Sequence, residues 1–236
     1  MATEVKQTTE QTTAPVKKSA EDRLANSFEG FWTRNGKKVS IGLLVVVLLV
    51  AGYFAYNNFV KGPEDVKAGN AMWKAESNFR NDSFALALNG DGSAANPGFL
   101  KVISKYSGTK TANLAKFYAG ASYLQIGDFN NAIKYLNDYS STSDVVNVRV
   151  YGLLGDAYSE LGKKDQAVEN YKKAGKAFAD DTFNSSEYLY RAAVLLADQN
   201  KTADAIALLK EIKKNFPMTP RGVEADKFMA KLGETK

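Results

Sequence analysis

From Val39 to Val60 the chain carries no charged side chain, and IGLLVVVLLVAGYF lies at the heart of this run. Twenty-two uncharged residues wound as an α-helix, at ~1.5 Å of rise each, make a rod of ~33 Å. A bilayer presents ~30 Å of hydrocarbon, so the run reads as one membrane span. Arg34, Lys37 and Lys38 precede it, with no acid between Phe31 and Val39, whereas Lys61 to Glu76 mixes three bases with three acids. Cytoplasmic flanks collect Lys and Arg, so residues 1–38 are expected inside and everything past Val60 across the membrane. Phe31 and Trp32 on one side, and Tyr53, Tyr56 and Phe59 on the other, stand where an interfacial aromatic belt belongs.

A cleaved signal peptide is the rival reading. Its apolar core is ~7–15 residues behind a short basic start, while this run is longer and comes after 38 residues. Val50-Ala51-Gly52 is a weak small-residue cleavage site, and a retained anchor is the expectation. A lipoprotein anchor is excluded because there is no cysteine to acylate.

The chain also has no histidine. Without Cys there is no thiolate nucleophile, disulfide or sulfur-ligated zinc. Without His the usual general base and the commonest metal ligand are missing. No cofactor, metal or small-molecule substrate is therefore expected. The net charge is +5, of which seven bases and five acids up to Lys38 supply two, leaving +3 on the 176 residues beyond the span. That surplus is spread thinly, with no basic, aromatic-laced face for nucleic acid.

Residues 1–19 are polar and Thr- and Gln-rich, and are expected to be a disordered tail. From Ala20 to Thr33, Leu24, Phe28, Phe31 and Trp32 recur at helical spacing, either as an amphipathic stretch on the inner leaflet or as an extension of the span. Gly62-Pro63 is expected to break the span from the C-terminal part of the chain. Beyond it the pattern is helical throughout: Glu64 to Arg80, a short piece from Phe84 to Leu88, a glycine-rich mobile loop from Asn89 to Gly98, then Phe99 to Tyr106.

The chain then repeats itself. KFYAGASYLQIGDFNNAIKYLNDY (Lys116–Tyr139) aligns with YGLLGDAYSELGKKDQAVENYKKA (Tyr151–Ala174), pairing Gly120, Tyr123, Gly127, Ala132 and Leu136 with Gly155, Tyr158, Gly162, Ala167 and Tyr171, always 35 residues apart. A third copy, Arg191–Ile212, carries Ala193, Leu196, Asn200, Ala205 and Leu209 another 38 residues on, with the inserted residues expected in Ala179–Asn184. Self-similarity at this period marks a stack of helical hairpins. The small residue lets the first helix approach its neighbour, the Gly or Asn ends that helix, and the Ala sits where the second helix crosses.

This pattern resembles the tetratricopeptide repeat (TPR): small residue, Tyr three on, Gly four later, Ala five further. The third copy departs at Leu196 and Asn200 but ends on Phe216-Pro217, as the family's repeats do. A last helix, Arg221 to Leu232, with Val223, Phe228 and Met229 on one side, is expected to cap the array. The expected architecture is all-α: one transmembrane helix over 39–60, then a TPR-like α-solenoid of three to four hairpins with a capping helix over 61–236. Glu64 to Tyr106 would be a degenerate first repeat.

Candidate sites are few. Asn89-Gly90-Asp91-Gly92-Ser93 alternates oxygen ligands like a calcium loop, but has one carboxylate and Leu100 at the twelfth position, so a turn is expected. No Ser–Lys pair is brought together by the pattern, Asp180-Asp181 reads as a solvated loop, and Asp156 with Glu160 as an exposed acidic face. The TPR resemblance implies a concave binding side on the first helices. Its groove positions fall on Phe117, Ala121, Leu124 and Gln125, then Arg149, Asp156, Ser159 and Glu160, then Glu187, Tyr190, Val194 and Asp198. Phe117 and Ala121 do not match the subgroup that clamps a terminal carboxylate.

One span with a short TPR array behind it is similar to the YfgM-type family of bacterial inner-membrane proteins, and FLKVISKYSGTKTANLAKFYAGASYLQIGDFNNAIKYL looks like its Bacteroidetes members. That resemblance implies a periplasmic interaction scaffold, with translocon subunits, chaperones or exported clients as partners and no catalysis. The alternative is a scaffold for an envelope-assembly or division complex.

Overall fold

The computed structural model describes residues 20–234. The tail expected over 1–19, and the side chain of Leu24, lie outside the described residues. Two compact units are present, Met1–Tyr56 and Asn57–Lys236. In the first, α1 (Ala20–Tyr56) is a single 37-residue helix. Its stretch around Phe28 to Trp32 is a helical extension of the apolar run, with Phe28 stacked on Trp32 at 6.2 Å. Every side chain from 40 to 56 is exposed. A helix that is apolar all round gains nothing from standing in water, and this one is long and apolar enough to cross a membrane.

The second unit opens on a π-helical turn, Asn57–Lys61, which leads into α2 (Gly62–Arg80). Gly62-Pro63 therefore does not end the helix as expected: the backbone is helical without a break from Phe28 to Arg80. The reason is local. Proline lacks an N–H and its ring crowds the preceding turn, but both are harmless in the first turn of a helix. The wide π turn absorbs the mismatch, and Lys61 itself stays helical at φ −70°, ψ −34°. Lys61 Nζ reaches the Ser107 carbonyl at 2.9 Å, and Asp65 accepts the Thr111 amide at 2.8 Å, tying α2 to the chain 46 residues later.

Next come α3 (Phe84–Asn89), a loop, and α4 (Gly98–Lys105), which pack with α2 as the first, irregular hairpin. The loop is pinned: Asn96 is buried, its Oδ1 accepts from Asn78 Nδ2 at 3.3 Å, and its carbonyl accepts the Asp91 amide at 3.2 Å. Asp91 turns inward on the loop, accepting the Ser93 amide at 2.9 Å, which suits a turn.

Three regular hairpins complete the stack: α5 (Lys110–Gln125) with α6 (Phe129–Asp138), α7 (Asp144–Glu160) with α8 (Lys164–Ala177), and α9 (Thr182–Asp198) with α10 (Thr202–Asn215). Gly127, Gly162 and Asn200 hold φ of +80°, +69° and +61°, the left-handed bend that ends each first helix. A Cβ on Gly120 would stand 2.6 Å from Leu136 Cγ, and one on Gly155 2.4 Å from Tyr171 Cδ1. The paired positions of the repeat are thus the points where two helices touch. Ala132, Ala167 and Ala205 are wholly buried at the crossings.

Two details differ from the sequence reading. The extra residues of the third period lie in α8, which has 14 residues where α6 has 10, and not in Ala179–Asn184. Residues 164–177 hold no proline, and Gly175, where a Cβ would meet Leu189 Cγ at 2.6 Å, serves close packing on α9, so the insertion prolongs a helix by a turn. In α11 (Pro220–Lys231), Gly222, Ala225 and Met229 face inward while Val223 is 72% exposed. Thr219 begins that helix, accepting the Gly222 amide at 3.1 Å and donating to the Phe216 carbonyl at 2.8 Å.

Candidate protein-binding face

Each first helix approaches the next, α5 with α7, α7 with α9 and α9 with α11, whereas the backbones of α6, α8 and α10 stay apart, and α8 reaches α10 through the Lys176–Glu211 ion pair at 3.5 Å. The array is therefore bent toward its first helices, which form the inner side. Two hollows open among them. The N-terminal one, of ≈760 Å³, lies between the α2–α3 turn, α5 and α7, and brings together Phe117, Ala121, Gln125 and Arg149. Its floor includes Tyr118, stacked on Phe99 at 5.4 Å and edge-on to Phe79 at 5.2 Å. Burial pushes the Tyr118 phenol up and the Glu76 carboxylate adds to it, against the opposing pull of Arg80 and Arg149.

The C-terminal hollow, of ≈290 Å³, is bounded by Ser159, Glu187, Tyr190 and Val194 together with Arg191 and Arg221. Its charges are spent on each other. Asp156 accepts from the Tyr171 hydroxyl at 2.7 Å and from Arg191 at 2.9 Å. Glu187 accepts from Arg191 at 3.0 Å and Arg221 at 2.7 Å. Arg221 also lies over the Tyr190 ring at 4.4 Å. Burial alone would raise the Glu187 carboxyl, but the two guanidiniums outweigh it and hold it below the usual carboxylate range. Burial raises the Tyr171 phenol further, helped by the Asp156 carboxylate it donates to.

The remaining groove positions stand apart. Leu124 is half-buried and Glu160 exposed, and neither lines a hollow. Asp198, at the end of α9, is ion-paired to Lys164 of α8. Asp181 does more than sit in a solvated loop: it begins α9 by accepting the Asn184 amide at 3.1 Å. The family's groove positions missed Arg80, Tyr139 and Val145 in the N-terminal hollow, which come from the irregular hairpin, the link between repeats and the first turn of α7. They also missed Arg221 and Arg191, whose 34- and 35-residue separations from Glu187 and Asp156, respectively, carry the repeat period.

Compared with known families, residues 29–149 match the tetratricopeptide repeat-like domain. The chain belongs to that family. Residues 148–178 and 187–217 each match a tetratricopeptide repeat in addition. These TPR matches fall on α7–α8 and α9–α10, the hairpins that the sequence period picked out. No curated protein matches the chain. TPR arrays are in general non-enzymatic scaffolds that bind other proteins. Among the described residues no group of three His, Cys, Asp or Glu side chains is placed to hold a metal ion.

Proposed function

We propose that this chain is a membrane-anchored protein–protein interaction scaffold facing the periplasm, an accessory of the protein-export translocon and its chaperones, with residues 39–60 as the span and 61–236 outside the cytoplasm. The observation that carries it is one chain holding both a bare apolar helix and a TPR array with an open inner face. The basic residues Arg34, Lys37 and Lys38 on one side of the apolar run favour a cytoplasmic N-terminus. The likeness in layout to YfgM-type proteins is what points to the translocon, to chaperones and to emerging clients as partners. A tether keeps the groove at high local concentration beside the membrane, so weak contacts with a passing segment suffice. The groove positions named above are the proposed contact residues, led by Phe117, Arg149 and Tyr190.

Two measurements test this. Protease added to spheroplasts should degrade the C-terminal unit and spare the tail, and an untouched C-terminal unit would reverse the topology. Co-purification in mild detergent should bring down translocon subunits or periplasmic chaperones. Recovery of envelope-assembly or division proteins in their place would move the scaffold to another complex.

A further inference from the structure

The two hollows differ in one respect that bears on what binds. In the C-terminal hollow both guanidiniums are already neutralised, by Asp156 and by Glu187. In the N-terminal hollow Arg149 is exposed and makes no ion pair among the described residues. Arg80 beside it has only a long contact to Glu76 at 3.7 Å, and Asp82 is the sole carboxylate of the lining. The unpaired guanidinium of Arg149 therefore stands at the rim of a socket walled by the rings of Phe79, Phe84, Phe117 and Tyr118. Unlike the shallow C-terminal site, its volume lies within the ~300–1,000 Å³ of built ligand pockets.

A second hollow, of ≈490 Å³, adjoins it and shares Leu114, Tyr139 and Val146. Its wall is the link before α7, where Ser140 is bonded to Asn113 and Ser141 to Ser143, while the Thr142 hydroxyl has no partner among the described residues. Lys110 adds another cation at that end. Side by side, the two hollows form a furrow that offers an apolar, ring-lined socket, the unpaired cations Arg149 and Lys110, and the Thr142 hydroxyl. Those are the needs of an extended peptide with a bulky apolar side chain beside an acidic one.

Resting on the scaffold reading above, we propose that this furrow is the docking site for an extended partner segment in which a large aromatic or aliphatic residue adjoins an acidic residue. The apolar side chain enters the socket, the carboxylate meets Arg149, and the backbone runs past Thr142 toward Lys110. The C-terminal hollow, its charges satisfied, takes no part in the discrimination.

The test uses the full chain in nanodiscs of zwitterionic and anionic phospholipid, with three fluorescent decapeptides: one with a central Trp-Asp-Asp, one with Trp-Lys-Lys and one with Ser-Asp-Asp. The first should bind best, with loss of the ring costing roughly thirtyfold and charge reversal about five- to tenfold. Arg149→Glu should invert the preference between the acidic and basic peptides. Val145→Asp, at a position 52% exposed on the socket wall, should weaken the Trp-Asp-Asp peptide alone. Lys201→Ala, outside both hollows and away from the proposed contact residues, should leave the ranking unchanged. Equal affinity for all three peptides, or an unaltered ranking in Arg149→Glu, overturns the proposal.

A photo-crosslinker at Val145 separates the other occupants. A peptide adduct supports the site, whereas a chain–chain dimer or a lipid adduct that the peptide fails to displace refutes it. The same crosslinker in cells tells the two readings apart. Protein adducts without the aromatic–acidic preference remove only the segment chemistry. Absence of any protein adduct from Val145 and from Tyr190 removes the scaffold reading with it.

Discussion

Around Phe79, in the N-terminal half of the array, ring meets ring: Phe84 at 5.4 Å, Tyr118 at 5.2 Å and Phe99 at 6.4 Å. Around Arg191, in the C-terminal half, charge meets charge, and the ion pairs recur one repeat apart: Asp156–Arg191, Glu187–Arg221, Asp165–Lys201, Asp198–Lys164 and Glu211–Lys176. The ion pairs that involve α2 to α6 lie close in sequence, Lys61–Glu64 and Glu76–Arg80. The same helix–turn–helix unit is therefore stacked by two kinds of glue. Rings fill volume and leave cations on the rim unneutralised, while a ladder of ion pairs uses up its own charge. The half with the less regular sequence is the half left with something to offer a partner.

The largest effect should come from a position both halves share. Ala167 is fully buried at the α7–α8 crossing, and Ala167→Leu should overpack it at a cost of ~1–3 kcal/mol. Ala132→Leu should cost as much in the α5–α6 hairpin, since Ala132 is equally buried. Thermal melts of the full chain in detergent measure both. If either variant melts like wild type, the register of that hairpin is wrong.

Arg191→Met comes second. It removes the guanidinium from over Tyr188 and takes one donor each from Asp156 and Glu187, both less than one-third exposed, which keep Tyr171 and Arg221 as partners. Partly exposed pairs rarely exceed about 1 kcal/mol, and this one should reach that figure because two carboxylates lose a partner. An unchanged melting curve would mean that the ladder is decorative.

A smaller effect is a matter of pH. The Glu187 carboxyl sits below its unfolded value of 4.5, so its contribution is complete above that value and fades as pH falls through the folded value. Wild type should hold a constant advantage over Glu187→Gln from neutral pH to about 5 and lose it under more acid conditions. An advantage that persists in acid would show that Glu187 stabilises by packing and not by charge.

Much of this architecture is legible in the residues. Gly120 and Leu136, or Gly155 and Tyr171, announce a contact because one is small where the other is large, and a period of 35 places both pairs alike. Gly127 and Gly162 mark bends by their chemistry alone. The junction at Gly62-Pro63 misleads because proline opens helices as readily as it ends them, and only the upstream π turn decides between the two. Length differences inside a helix, as in α8, leave no punctuation to find. The N-terminal hollow is half legible: Phe117, Ala121, Gln125 and Arg149 come from the groove positions that the TPR resemblance implies, but Arg80 and Tyr139 reach it from segments with no periodic signal.

The smallest effect tests whether the ladder acts rung by rung. Lys201 meets Asp165 at 2.6 Å, but Asp165 is 81% exposed, and its carboxyl is held low mainly by the hydrogen bond from Lys201. Water and salt screen such a pair, and two flexible side chains lose rotamer freedom to make it. Lys201→Ala should therefore leave the melting midpoint within the scatter of replicate wild-type curves, at low ionic strength as at high. A drop as large as that of Arg191→Met, abolished by salt, would mean that the rungs are coupled along the array. Stacking in the C-terminal half would then be a property of the network as a whole, and the contrast with the ring-packed half would rest on cooperativity more than on the kind of contact.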